Sequence, residues 1–216
     1  MGKKCSMLHA PFVSEQDEPQ RRALLKKPPL VYRDAMALSK TVALVGMMGA
    51  GKTSIGKRLA VRLNVAFADA DHEIEAAAGM SVAEIFAKYG EPEFRRLERS
   101  VIARLLGRGP HVLATGGGAW MDDITRATMK QTAFSIWLKA PVEVLLWRVR
   151  KRQEHDQTRP LLNTEDMRGT LDRLLTVREP FYVLADMVLE SGEAPHAALV
   201  DKIVAALAAH GICESA

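Results

Sequence analysis

The run Gly46-Met-Met-Gly-Ala-Gly-Lys-Thr53 joins a glycine-rich backbone to a lysine and a hydroxyl at the spacing G-x-x-x-x-G-K-[ST]. Glycines at this spacing let successive backbone N–H groups curl around phosphate oxygens, and a helix that starts inside the motif aims its positive end at the same anion. Lys52 supplies a cation that can reach the outer phosphates, and the Thr53 hydroxyl can ligate Mg²⁺. A glycine turn that merely joins a strand to a helix would not need the Lys–Thr pair.

Four further groups could do chemistry. Asp69-Ala-Asp71 follows an apolar stretch; if the strand continued, alternation would aim the two carboxylates differently, one toward a water-bound Mg²⁺ and one toward an acceptor hydroxyl. The plain alternative is a pair of turn or cap residues. Arg95 and Glu98 stand three apart on one helical face, and by themselves read as a surface ion pair of little worth. Arg178 falls near a helix end, where a cation offsets the dipole. Gly116-Gly117-Gly118 ends a strand pattern, and three glycines are a costly linker unless a backbone must approach something closely. The histidines show neither metal-ligand spacing nor a Ser–His–Asp arrangement.

These residues need elements to position them. Thr41–Val45 is a short apolar, β-branched run that predicts a buried strand, and Ile55, Leu59 and Leu63 predict the amphipathic helix after the glycine loop, closed at Asn64. Further strands are expected at Val65–Ala68, His111–Thr115, Ala133–Leu138 and Met187–Leu189. Helical patterns separate them: a run from Glu73 to Gly79, a capping box at Ser81-Val-Ala-Glu84, a helix with Pro92 early in it, one to about Lys130, one opened by Pro141, one from about Thr164 ended by Pro180, and one from about Pro195 to Ala209. Strands alternating with helices mean βαβ units and a parallel sheet covered on both faces. The carboxyl ends of such strands are where ligands bind, and the glycine loop, the Asp pair and the triple glycine all fall there. The polar stretch Lys151–Arg159 lacks apolar periodicity and reads as a mobile lid, about 151–166.

With 216 residues, 48% hydrophobic and 26% charged, the chain suits one domain with a substantial core. Its net charge of +4 is spread along the sequence, which fits small anionic ligands better than nucleic acid. No apolar run approaches membrane-spanning length. Cys5 and Cys213 alone, near opposite termini, suggest a reducing compartment and no disulfide framework. Residues 1–37 carry basic pairs and Pro28-Pro29 with little apolar periodicity, which predicts a flexible extension ahead of a single domain at 38–216. The start Met1-Gly-Lys-Lys-Cys-Ser6 fits a short myristoylation pattern that also arises by chance; Glu15, Asp17 and Glu18 oppose a transit peptide; and Met36 is an alternative start.

Taken in order and spacing, GMMGAGKT at 46–53, FADAD at 67–71, GEPEFRRLE at 90–98, TGGG at 115–118, RPLL at 159–162 and VREPFY at 177–182 resemble shikimate kinase from about residue 41 onward. The resemblance implies an α/β fold of three layers, α/β/α. It further implies a five-stranded parallel sheet in the order 2-3-1-4-5, with a P-loop kinase core plus lid. It implies ATP-dependent phosphorylation of the 3-hydroxyl of shikimate in aromatic amino-acid biosynthesis, by a cytoplasmic monomer with one Mg²⁺ and no nucleic-acid or membrane partner. Carried over by residue, Gly49, Ala50, Gly51, Lys52, Thr53 and Ser54 would cradle the phosphates, Lys52, Asp71 and Arg159 would be catalytic, Thr53 would ligate the metal and Asp69 would support it through water. Arg95 and Arg178 would bind the shikimate carboxylate, Glu98 would orient Arg95, and Gly116, Gly117 and Gly118 would approach the ring through their backbone. Arg152, Arg159 and Pro195 would contact the nucleotide. A gluconate kinase-like enzyme on the same core and a nucleotide-binding module without catalysis are the rival readings.

Overall fold

The computed structural model describes residues 36–153, 166–192 and 194–215. Strand β1 (Met36–Leu38) is followed by β2 (Thr41–Val45), which is buried throughout and runs into the glycine loop and helix α1 (Lys52–Leu63). The chain continues through β3 (Phe67–Asp69), α2 (Ala70–Ala78), α3 (Val82–Leu106) and β4 (Val112–Ala114). A short 3₁₀ turn (Ala119–Met121) precedes α4 (Asp123–Thr132) and β5 (Ala133–Lys139). Then come α5 (Val142–Gln153), α6 (Met167–Tyr182), β6 (Met187–Glu190), α7 (His196–Ala209) and β7 (Cys213–Ser215).

The main sheet has the order β3-β4-β2-β5-β6 with every pair parallel. Counted from the strand before the glycine loop, this is the expected 2-3-1-4-5. Val42 lies between Val112 and Phe134, so β2 is buried between two neighbours as well as between two helical layers. Its position at the sheet centre brings the carboxyl ends of β2, β3 and β4 together, and the glycine loop, Asp69 and the triple glycine with them. Asn64 closes α1 in the left-handed conformation, at φ 56, and Ser81 and Glu84 form the reciprocal cap of α3.

The structure departs from the sequence reading in three places, at Asp69, Pro180 and Met36. Asp69 is the last residue of β3 and caps α2, accepting a hydrogen bond from the backbone N–H of Asp71. The strand does not continue past it, so the two carboxylates diverge through a strand-to-helix turn and not through alternation. The break expected between the helix that starts at the Ser81 cap and the one with Pro92 early in it is present inside α3 at Gly90, whose φ of 77 and ψ of 172 are not helical. Helix α6 does not end at Pro180: the missing N–H falls in the last turn, and Val183 N–H on Glu179 O closes the helix beyond it. Met36 and Ala37, assigned to the extension, form β1 and pair antiparallel with β7, an element too short for its pattern to show. Residues 1–35 and most of the expected lid, 154–165, lie outside the described residues.

Gly46 fixes how the glycine loop leaves the sheet. Its φ is 134, and a Cβ there would stand 2.7 Å from the backbone oxygen of Leu138. Gly46→Ala should therefore lose roughly 2–3 kcal/mol of stability in urea unfolding, and an unchanged midpoint would show that the loop is not held against β5.

Candidate active site

A cleft of about 550 Å³ opens at the carboxyl ends of β2, β3 and β4, lined among others by Thr53, Asp69, Asp71, Arg95, Glu98, Gly116–Gly118 and Arg178. At one end is the glycine loop. Lys52 is buried and donates to the carbonyls of Gly46 at 2.8 Å and Met47 at 3.0 Å, so its ammonium is held within the loop it serves. Thr53 Oγ1 donates to Asp69 Oδ2 at 2.7 Å. A hydroxyl and a carboxylate side by side at a helix N-terminus are hard oxygen donors of the kind Mg²⁺ takes. Ser54 is exposed at the next position, and Ala50 is buried, with its carbonyl accepting from Ser191 Oγ at 2.9 Å.

At the other end is the triple glycine, and its role is proximity. None of the three glycines has a positive φ. A Cβ on Gly116 would stand 2.6 Å from Glu98 Oε1 and 2.8 Å from Asp71 Oδ1; one on Gly117 would stand 3.4 Å from Arg178 Nη1; one on Gly118 would run into the Arg95 guanidinium. Two acids and two arginines from three helices thus pack against a backbone that has no side chains to keep them away.

The charges in this ring are unequal in their partners. Arg95 Nη1 donates to Glu98 Oε2 at 2.6 Å, and its other nitrogens reach the exposed Glu91. Glu98 is only 2% exposed, so this is a buried pair and not the surface bridge that spacing alone suggested. Its second oxygen, Oε1, has no hydrogen-bond partner among the described residues. Burial pushes the Glu98 carboxyl up to about 7; Arg95 opposes the shift, while Asp71 and Asp122 add to it. Arg178 is 7% exposed and donates to the carbonyl of Gly117 at 3.1 Å, with Met47 Sδ at 3.9 Å. It is not a helix-end cation facing solvent. Among the described residues no carboxylate lies within ion-pair distance of it, although Arg95, the other arginine lining the cleft, has Glu98 and Glu91.

Of the nucleotide-side candidates, Pro195 is the exposed N-cap of α7, Arg152 is described only as backbone in the last turn of α5, and Arg159 lies outside the described residues. Sequence reasoning passed over Arg148, one turn before Arg152. Its guanidinium reaches the carbonyls of Gly49, Ser191 and Gly192, at 3.4, 3.0 and 2.6 Å, and so ties the glycine loop to the turn after β6. It also passed over Tyr182, one helical turn after Arg178, whose hydroxyl donates to Gly117 O at 2.5 Å. The i, i+4 spacing from each singled-out arginine was the available signal.

The shikimate kinase family model matches residues 48–208. The chain belongs to the shikimate kinase family. A shikimate kinase from Bradyrhizobium diazoefficiens is 53% identical over 172 residues, which are 80% of this chain and 81% of that protein. Among solved structures, a shikimate kinase from Acinetobacter baumannii in complex with shikimate is 38% identical, with a TM-score of 0.75 over 79% of this chain and 94% of that one. A gluconokinase from Sinorhizobium meliloti shares the fold alone, at 19% identity and a TM-score of 0.55 over 80% of this chain and 93% of that one. Among the described residues no helix is long and apolar enough to cross a membrane.

The Glu98 carboxyl gives this shikimate kinase family cleft a pH signature. Its folded-state value of about 7 stands above the ordinary 4.5, so the fold keeps a proton that the open chain has already released. Its ionisation therefore costs stability progressively as pH rises from the ordinary carboxylate range through about 7. In urea unfolding without substrate, the stability of Glu98→Gln relative to the parent should rise between about pH 5 and about pH 8. A flat or falling difference would show that Arg95 keeps Glu98 ionised throughout.

Proposed function

We propose that the chain transfers the γ-phosphoryl group of ATP to the 3-hydroxyl of shikimate, giving shikimate 3-phosphate and ADP. The observation that carries the reading is the buried Arg178 guanidinium without a carboxylate partner among the described residues, facing the same cleft as the Arg95–Glu98 pair. A buried cation in this position is stabilised by an anion from outside the chain, and two planar guanidiniums suit a carboxylate. Membership of the shikimate kinase family supports shikimate as that anion.

In this reading Arg95 and Arg178 take the carboxylate, and Glu98 keeps Arg95 turned toward it. Asp71, whose carboxylate lies beside Gly116, orients the 3-hydroxyl and accepts its proton as the new O–P bond forms and the bond to the β-phosphate breaks. Gly49 to Ser54 cradle the phosphates, and Lys52 sets its charge against the group in transfer. Arg159 adds a second cation from the lid segment, a role supported by the family pattern RPLL. Thr53 Oγ1, with Asp69 acting through water, would hold Mg²⁺ bound with the nucleotide, an ion that neutralises phosphate charge. Arg152 and Pro195 are carried over from the family as contacts near the base, and Arg148 donates to Gly49 O of the glycine loop. Little covalent chemistry is left to the protein beyond alignment and charge.

The test is turnover with shikimate, gluconate and nucleoside monophosphates, in the parent and in Arg178→Ala. Shikimate alone should be a good acceptor, and Arg178→Ala should lower its kcat/KM by about 2–5 kcal/mol equivalent while leaving ATP binding nearly unchanged. An acceptor lacking the carboxylate should be poor with both proteins. Efficient transfer to gluconate, or nucleotide binding without transfer to any acceptor, would establish a rival reading instead.

A further inference from the structure

Helix α6 reaches the triple glycine through more than its arginine. Tyr182, the last residue of α6, is fully buried, and its hydroxyl donates to Gly117 O at 2.5 Å. Arg178, one turn earlier, donates to the same carbonyl at 3.1 Å. One acceptor therefore takes two donors from one helix face, using both lone pairs of the oxygen. The Tyr182 ring stacks on Trp137 of β5 with centroids 5.7 Å apart, which fixes the height of the hydroxyl above the sheet. Trp120 Nε1 donates to Phe181 O at 2.8 Å, so the end of α6 is also tied back to the turn that follows the glycines. Burial pushes the Tyr182 phenol up to about 12, against the pull of Arg178, and the hydroxyl stays a donor.

The consequence lies on the other side of the peptide. The Gly117–Gly118 unit is planar and trans, so turning its C=O toward α6 turns the Gly118 N–H the opposite way. The turn itself is closed by Ala119 N–H on Gly116 O and Met121 N–H on Gly118 O. Among the described residues, the N–H groups of Gly117 and Gly118 donate to no acceptor, and both residues line the cleft.

We propose that Tyr182 is a positioning residue for acceptor binding: sharing the Gly117 carbonyl with Arg178, it fixes the guanidinium and the Gly118 N–H in the directions from which they receive the acceptor's carboxylate. Tyr182 touches no substrate in this account; it acts through Gly117 and Arg178. The proposal rests on the reading of the cleft as a shikimate site.

Tyr182→Phe removes the hydroxyl and keeps the ring on Trp137. KM for shikimate should rise roughly fivefold to tenfold, the loss carried by one hydrogen bond, with KM for ATP unchanged and kcat within about twofold. Calorimetric affinity for shikimate should fall by the same factor. Added to Arg178→Lys, the change should cost less than about twofold, because the two residues act on one carbonyl. Melting curves accompany each variant, since a purely structural hydroxyl would lower the melting temperature without separating the two KM values. Shikimate KM within about twofold of the parent, an equal rise for ATP, or a full additive cost on Arg178→Lys would each overturn the proposal. Failure of the parent itself to phosphorylate shikimate would overturn the functional reading instead, and parent turnover is measured first to keep the two apart.

Discussion

The triple glycine turn is a place where backbone is exposed so that charge can approach it. With no Cβ at Gly116, Gly117 or Gly118, the carboxylates of Asp71 and Glu98 and the guanidiniums of Arg95 and Arg178 come within contact of one short segment. Bringing four ionisable side chains out of water is costly unless their charges are paired. Among the described residues the pairing is incomplete: Glu98 satisfies Arg95 but keeps one oxygen unpartnered, and Arg178 has a carbonyl and a thioether where a carboxylate would compensate it better. Among the described residues Arg178 is thus the cation of this ring with no carboxylate at ion-pair distance, and in the proposed reading a ligand carboxylate would supply one.

The rest of the fold serves to hold this ring opposite the phosphate loop. Parallel order puts the carboxyl ends of β2, β3 and β4 in register, so the glycine loop after β2, the Asp pair after β3 and the triple glycine after β4 share one edge of the sheet. Asp69 and Asp71 then divide the work across a single turn: Asp69 faces Thr53 and the phosphate end, while Asp71 faces Gly116 and the acceptor end. Arg178 arrives from a helix more distant in sequence, and its depth is set by the latch that Tyr182 and Trp120 make between the end of α6 and the turn.

Much of this was legible in the sequence because local rules governed it. The glycine loop, the Asn64 cap, the Ser81–Glu84 box and the central strand each follow from short-range chemistry that the chain does not contradict elsewhere. Proximity was harder to read. The glycines at 116–118 called for a close approach, but not for the four side chains that make it. Arg95–Glu98 and Arg178 read as surface features because burial is decided by elements far away in the chain. Pro180 misled because a proline in the last turn forfeits a single hydrogen bond, and the β1–β7 ribbon was missed because three-residue strands carry no usable alternation. Arg148 and Tyr182 were overlooked for one reason: each works through backbone carbonyls, and residue types say little about which carbonyl lies within reach.

The central claim is that an unbalanced buried cation makes this cleft a receptor for a carboxylate. Calorimetric titration of the parent protein with shikimate and with its methyl ester tests it without requiring turnover. The ester keeps the ring and the hydroxyls, removes the charge and adds one methyl group. The account predicts that shikimate binds more tightly than the ester by roughly thirtyfold or more. Equal affinities would contradict it, since the arginines would then not be reading the carboxylate at all.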